Sequence, residues 1–125
     1  MKKIIKTDKA PAAIGPYNQA VDTGDLVFVA GQIPIDPAQG RIVEQNVAGQ
    51  TRRVIENIGA ILAAGGLGLD NVVKTTVFLA SMNDFKEMNQ VYAEFFKKDP
   101  PARATVEVSA LPLGARVEIE AIARR

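Results

Sequence analysis

The sequence contains no cysteine and no histidine. Without cysteine there is no disulfide framework, no thiolate nucleophile and no Cys-based zinc site. Without histidine the commonest general base is missing, and with it the Ser-His-Asp arrangement and nearly all transition-metal catalysis. An excess of charge is lacking too. The 15 basic and 14 acidic residues leave a formal net charge of +1, whereas a dedicated nucleic-acid surface normally shows a basic excess. No apolar run approaches membrane-spanning length. The opening Met1-Lys2-Lys3-Ile4-Ile5-Lys6-Thr7-Asp8 is too short and too charged for a signal peptide. These absences set the expectation of a soluble, cytoplasmic protein with no metal and no cofactor. Its chemistry is confined to Arg, Lys, Glu, Asp, Tyr, Ser, Thr, Asn, backbone groups or the substrate itself.

What is present suffices for a core. Hydrophobic residues make up 47% of the 125 positions, which fits one ordered domain over residues 1–125. Hydrophobic periodicity places strands at 3–7, 19–22, 26–33, 71–80, 101–108 and 117–123, and helices at 47–64 and 84–97. The second and third strands form a hairpin through Thr23-Gly24-Asp25. Leu26-Val27-Phe28-Val29-Ala30 is apolar on both faces, as in a strand covered on each side or buried in an oligomer. Asn46 is the expected N-cap of the first helix. Ala63-Ala64-Gly65-Gly66-Leu67-Gly68 follows that helix with no Lys-Ser/Thr after it, so it reads as a helix stop rather than a phosphate loop. Ala10 to Pro16 is an ordered loop, and Pro34 to Gly40 a turn-rich one. The pairs Lys2-Lys3, Lys97-Lys98 and Arg124-Arg125 read as solvated charge.

The stretch Pro101-Ala102-Arg103-Ala104-Thr105-Val106-Glu107-Val108 carries the main chemical signal. Pro100 and Pro101 block a helix, and Val106 and Val108 alternate with polar neighbours, so this is a strand with one arginine at its mouth. Arg103 offers a planar fork of donors that grips a carboxylate or phosphate in two places. Taken alone, such an arginine is more often half of a surface ion pair. Tyr17, after Gly-Pro, reads first as a ring covering the core edge. Gly31 ends the third strand, either for a close approach to its backbone or as a bulge. Asn89 lies beside the apolar stripe Phe85, Met88, Val91, Tyr92, Phe95 and Phe96 of the second helix.

Parity assigns the faces. Val117, Ile119, Ala121 and Ala123 lie under the helices, with Glu118 and Glu120 opposite. Arg103, Thr105, Glu107 and Ser109 share one face of their strand, and parity puts such polar groups with the carboxylates on the uncovered side. With Phe28 or Val29 and Ile122 also there, that face is too apolar for solvent, and burial against other subunits is expected. If the last two strands were hairpin partners around Leu113, Arg103 would oppose Ala123, with Glu118 roughly 17 Å away. Either the two strands are not neighbours, or Arg103 meets a glutamate of another chain.

Pro101-Ala102-Arg103-Ala104-Thr105-Val106 with Ser109 and Leu111, then Val117-Glu118-Ile119, resembles the signature of the Rid family of reactive-intermediate (enamine/imine) deaminases, also known as the YjgF family. Ala10-Pro11-Ala12-Ala13-Ile14-Gly15-Pro16-Tyr17, Ala30-Gly31-Gln32-Ile33-Pro34 and Val73-Lys74-Thr75-Thr76-Val77-Phe78 extend the likeness along nearly the whole chain, closest to the RidA branch. The resemblance implies an α+β, chorismate-mutase-like single domain, with a six-stranded mixed sheet and two helices packed on one face. It also implies a homotrimer with sites between subunits. The implied activity is hydrolysis of 2-imino acids, such as 2-iminobutanoate and 2-iminopropanoate, to 2-keto acids and ammonia. The imines arise from enamines released by pyridoxal-phosphate-dependent dehydratases. Carried over by residue, Arg103 holds the substrate carboxylate with help from the Gly31 amide, and Tyr17 and Asn89 line the pocket. Glu118 positions the attacking water, and the backbone carbonyl of Thr105 accepts from the imine nitrogen. Many relatives have cysteine at the position of Thr105.

The chemistry suits a chain without histidine or cysteine. A protonated imine is already a strong electrophile, so the needs reduce to a forked carboxylate anchor and a carboxylate that orients water. Two other readings stand beside this one. They are RNA cleavage or translation inhibition, disfavoured by the near-neutral charge, and a non-catalytic ligand-binding or chaperone-like module using the same cleft.

Overall fold

The computed structural model describes residues 1–125. Its elements in chain order are β1 (Lys3–Ile5), β2 (Ala20–Asp22), β3 (Leu26–Gln32), β4 (Ile35–Asp36), β5 (Arg41–Ile42), α1 (Val47–Ala64), β6 (Val72–Leu79), α2 (Phe85–Phe95), β7 (Ala102–Glu107) and β8 (Val117–Arg124). The Asn46 side chain caps α1 by accepting from the Gly49 N–H at 2.7 Å. The helix ends where Gly66 turns left-handed at φ +79, and the Gly66 and Leu67 amides close on the Ala63 and Leu62 carbonyls. The glycine run is thus the helix stop that the sequence implies. No helix is long and apolar enough to cross a membrane.

Six strands form one mixed sheet in the order β1-β2-β3-β8-β6-β7. All pairs are antiparallel except β6 with β7, which are parallel and joined by α2 as the crossover. Val117, Ile119, Ala121 and Ala123 of β8 sit in one core cluster with Val54, Ile55, Ile58, Ile61 and Leu62 of α1 and Met88 and Tyr92 of α2. Both helices therefore cover one face, and the architecture is the expected α+β one. On the other face Phe28 pairs with Ile122 and with Val21, which pairs with Ile4, giving an apolar row across four strands. Phe28 is 43% exposed and Ile4 48%; Val29 is in the core, which settles which of the two faces outward.

Local chemistry explains where the boundaries depart from expectation. β1 stops at Ile5 rather than Thr7 because Gln19 takes over the backbone. Its Oε1 accepts from the Thr7 N–H at 2.7 Å, and its Nε2 donates to the carbonyls of Thr7 and Pro11 at 2.9 and 2.8 Å. A second, two-stranded sheet, β4 with β5, occupies the turn-rich loop, and Asn57 of α1 anchors it by donating to the Ile35 carbonyl at 3.0 Å. α2 ends at Phe95 rather than Lys97, ahead of Asp99, which is left-handed at φ 49. Arg125 is not free solvated charge. Its guanidinium donates to Asp22 at 2.6 Å and to the Gly65 carbonyl at 2.8 Å.

Candidate active site

Two of the sequence-predicted residues lie where the parity argument did not put them. Arg103 pairs with Thr75 and Thr105 with Val77, and those β6 residues pair in turn with Ala121 and Ile119. Residues directly paired across a sheet point to the same side. Arg103 and Thr105 therefore face the helix-covered side, and the expectation that they share the uncovered face with Glu118 and Glu120 is wrong. The reason is that β7 is the edge strand, flanked only by β6. There α2 covers it with rings that tolerate a cation.

The Arg103 guanidinium lies 4.8 Å from the centroid of the Tyr92 ring and 5.7 Å from that of Phe85, within range of cation–π attraction. Arg52, Arg53, Arg116, Arg124 and Arg125 are ion-paired with carboxylates, and Arg41 donates to Gln39. Arg103 has no such partner, so its fork is oriented but unused. Asn89, between Phe85 and Tyr92 in α2, has a buried Oδ1 without a hydrogen-bond partner, as does the Thr105 hydroxyl. Buried polar atoms of this kind normally find partners. An arginine with an open fork next to two unsatisfied polar groups is what an anionic ligand with its own polar atoms would complete.

Glu118 forms a separate group on the opposite face. The backbone shifts register between Val29 and Gln32 opposite β8, and the Glu118 carboxylate rests on Gly31 there. A Cβ on Gly31 would lie 3.0 Å from the Glu118 carboxyl carbon and would overlap one carboxylate oxygen. Gly31 does not end the strand, which runs on to Gln32; it lies at the register shift and admits a close approach. Burial pushes the Glu118 carboxyl above its ordinary range, and the neighbouring Glu120 charge adds to the rise. Gly31 also lines a shallow recess with Pro11, Ile14, Tyr17 and Ile33. Tyr17 is 48% exposed, and its hydroxyl accepts from the Ile14 N–H at 3.3 Å. No three His, Cys, Asp or Glu side chains converge to hold a metal ion.

The two groups do not meet within one chain. β6 intervenes between β7 and β8, so the last two strands are not hairpin partners. Along β6, Arg103 is level with Thr75 and Glu118 with Phe78. That offset and two strand spacings separate them by roughly 14 Å, on opposite faces. Each chain therefore brings the candidate residues together in two separate groups, Arg103 with Thr105 and Asn89, and Glu118 with Gly31 and Tyr17. The sequence reading missed Phe85, Tyr92 and Thr75. The signal was a tyrosine in an otherwise apolar helix stripe, whose hydroxyl needed a buried partner.

The family model described as Endoribonuclease L-PSP matches residues 7–125. A RutC family protein of Pyrococcus horikoshii is 56% identical over 98% of this chain and 98% of its own. The 2-iminobutanoate/2-iminopropanoate deaminase of Mus musculus is 50% identical over 98% of this chain and 91% of its own. Among solved structures, a member of the conserved Rid protein family from Yersinia pestis superposes with a TM-score of 0.97 at 48% identity, covering 100% of each chain.

Proposed function

This chain belongs to the Rid (YjgF) family, and we propose that it works as a RidA-type deaminase. It converts 2-iminobutanoate and 2-iminopropanoate, formed from the enamine products of pyridoxal-phosphate-dependent dehydratases, to 2-keto acids and ammonia. The observation that carries this reading is the unpaired fork of Arg103, held on Tyr92 and Phe85. A 2-imino acid presents the bidentate carboxylate that such a fork selects.

The remaining residues take roles their environments suit. Glu118 orients a water molecule and accepts its proton as the oxygen adds to the imine carbon. A carboxylate whose pKa is raised is a better base than an ordinary glutamate. The C–N bond then breaks, the new C=O forms, and nitrogen leaves as ammonia after regaining the proton. The Gly31 amide supports the carboxylate, the Thr105 carbonyl accepts from the nitrogen, and Tyr17 and Asn89 line the pocket. Since Arg103 and Glu118 lie on opposite faces of one sheet, the site is completed by a second copy. The apolar row through Ile4, Val21, Phe28 and Ile122 is the surface that buries against it. The assembly is a homotrimer of single Rid-type domains in the cytoplasm.

The test couples the protein to a threonine dehydratase and follows 2-ketobutyrate release. Wild type accelerates release and Arg103→Ala does not; no acceleration by folded wild type sinks the reading. The description of the matching family model favours a second reading, RNA cleavage. A net charge of +1 weighs against it, and nuclease activity that survives Arg103→Ala would revive it. A ligand-binding module is separated by Glu118→Ala. The deaminase loses turnover and keeps 2-keto acid binding, whereas in a binder variant and wild type behave alike.

A further inference from the structure

We propose that Tyr92, with its hydroxyl tied to Thr75, is the positioning residue that sets the plane of the Arg103 guanidinium, so that the fork is aligned before a ligand arrives. The inference rests on the deaminase reading and goes beyond it by saying what Thr75 does and how the Tyr92 ring that carries Arg103 is itself fixed.

Three contacts hold the Tyr92 ring. Its hydroxyl shares a buried hydrogen bond of 2.7 Å with the Thr75 hydroxyl. The Phe96 ring packs beside it, centroids 4.6 Å apart and tilted by 37°. The Arg103 guanidinium lies over it at 4.8 Å. Thr75 is also the residue paired with Arg103 in the sheet. The strand that carries the arginine and the ring that carries its head are therefore referenced to the same backbone position. Without this platform a long side chain on an edge strand would sample many rotamers, and ordering it would be charged against ligand affinity. Phe85, at 5.7 Å, is the lesser support.

The protonation state of the ring matters. Burial raises the Tyr92 phenol above its ordinary pKa, outweighing the Thr75 hydrogen bond and the Arg103 charge, which pull it down. Tyr92 stays neutral at working pH. A phenolate there would pair with the guanidinium and take the fork from the substrate. The hydroxyl instead turns toward Thr75, and only the ring face meets the cation.

The experiment compares Tyr92→Leu, Tyr92→Phe and Thr75→Val, with Phe85→Leu as a milder platform variant should Tyr92→Leu fail to fold. Loss of the ring face is expected to raise KM for the imino acid by about 10-fold, with kcat changed less. Tyr92→Phe, which keeps the ring, costs about 3-fold, as does Thr75→Val. In an Arg103→Ala background, which has no turnover to follow, Tyr92→Leu has no further effect on 2-ketobutyrate affinity, because its action runs through the arginine. An equal effect in that background, which a purely structural role would give, overturns the proposal. A ligand-free measurement separates this from failure of the deaminase reading. The NMR order parameter of the Arg103 Nε–H is expected to fall in Tyr92→Leu and to be restored in Tyr92→Phe. If wild type does not turn over imines but that order falls as stated, the deaminase reading fails and the platform stands. If the order is unchanged, the platform fails whatever the activity.

Discussion

Adding one methyl group at Gly31 separates the fold from the chemistry. An alanine Cβ there would lie 3.0 Å from the Glu118 carboxyl carbon and 3.4 Å from its Cγ, with one oxygen overlapping it outright. Gly31 does not have a left-handed φ, so the backbone accepts alanine and the conflict falls on the end of the glutamate. Moving Glu118 to another rotamer costs about 1 kcal/mol, or about 4 °C in Tm. The chemical cost is larger. A general base contributes about 10²–10⁴-fold, and a displacement of about 1 Å can cost about 10²-fold. Gly31→Ala is therefore expected to lower kcat about 100-fold with a nearly native melting curve. Steady-state kinetics with enzymatically generated imine and calorimetry on the same samples provide the two readings. In a Glu118→Ala background the Gly31 substitution adds little to the loss of kcat. Full kcat in Gly31→Ala would refute the placement of the working carboxylate against Gly31. A large loss of kcat added on top of Glu118→Ala would show that Gly31 acts by another route.

Further expectations follow from the same geometry. The raised Glu118 pKa means that the active carboxylate is lost on acidification at a pH above that for an ordinary glutamate, and Glu120→Gln should shift the acid limb of the kcat profile downward. The same shift makes ionised Glu118 a burden on stability as pH rises through its folded pKa; Glu118→Gln should raise Tm at pH 8 and not at pH 4, as read by calorimetry. Arg125 holds the Asp22 carboxyl below its ordinary pKa, with the Gly24 amide assisting. Arg125→Ala should lower Tm at pH 7, with the difference vanishing as pH falls through the depressed Asp22 value. Phe28→Glu places a charge in the apolar row and should reduce the mass in light scattering from that of the proposed homotrimer, three times 13.4 kDa, to that of one chain, with activity lost in parallel. Leu62→Ala, at a fully buried site, should cost about 3 kcal/mol in denaturant unfolding.

Strong periodicity was readable in the sequence, and weak periodicity was not. Both helices, the strands β3, β6 and β8 and the inward set Val117, Ile119, Ala121 and Ala123 followed from spacing alone, because burial of one face leaves a repeat of 3.6 or 2. β4 and β5 left no repeat, being two residues each around Pro37 and Gly40. β7 misled because Ala102, Ala104 and Val106 look like an inward set, yet Val106 is 44% exposed. An edge strand half covered by a helix reverses the usual inference, and its arginine is held by aromatic faces that have no fixed sequence offset from it. The order β8-β6-β7 was equally invisible, since strand neighbours in space are chosen by long-range packing. The candidate site residues came from family likeness, whereas their division between opposite faces came from register.

The placement of β8 has a consequence for how the chain reaches its structure. It is the last strand in chain order, yet it lies between β3 and β6. It is the only strand joining the β1-β2-β3 meander to the β6-α2-β7 unit. Until residues 117–124 are available, both pieces present an unpaired edge at what becomes the middle of the sheet. Such edges recruit other chains. A nascent chain therefore passes through its most aggregation-prone stage late, and a holdase bound to β3 or β6 would find its target exposed only in that interval. Once β8 docks, its amides are bonded on both sides, and their hydrogen exchange should report global unfolding while those of β1 and β7 report fraying.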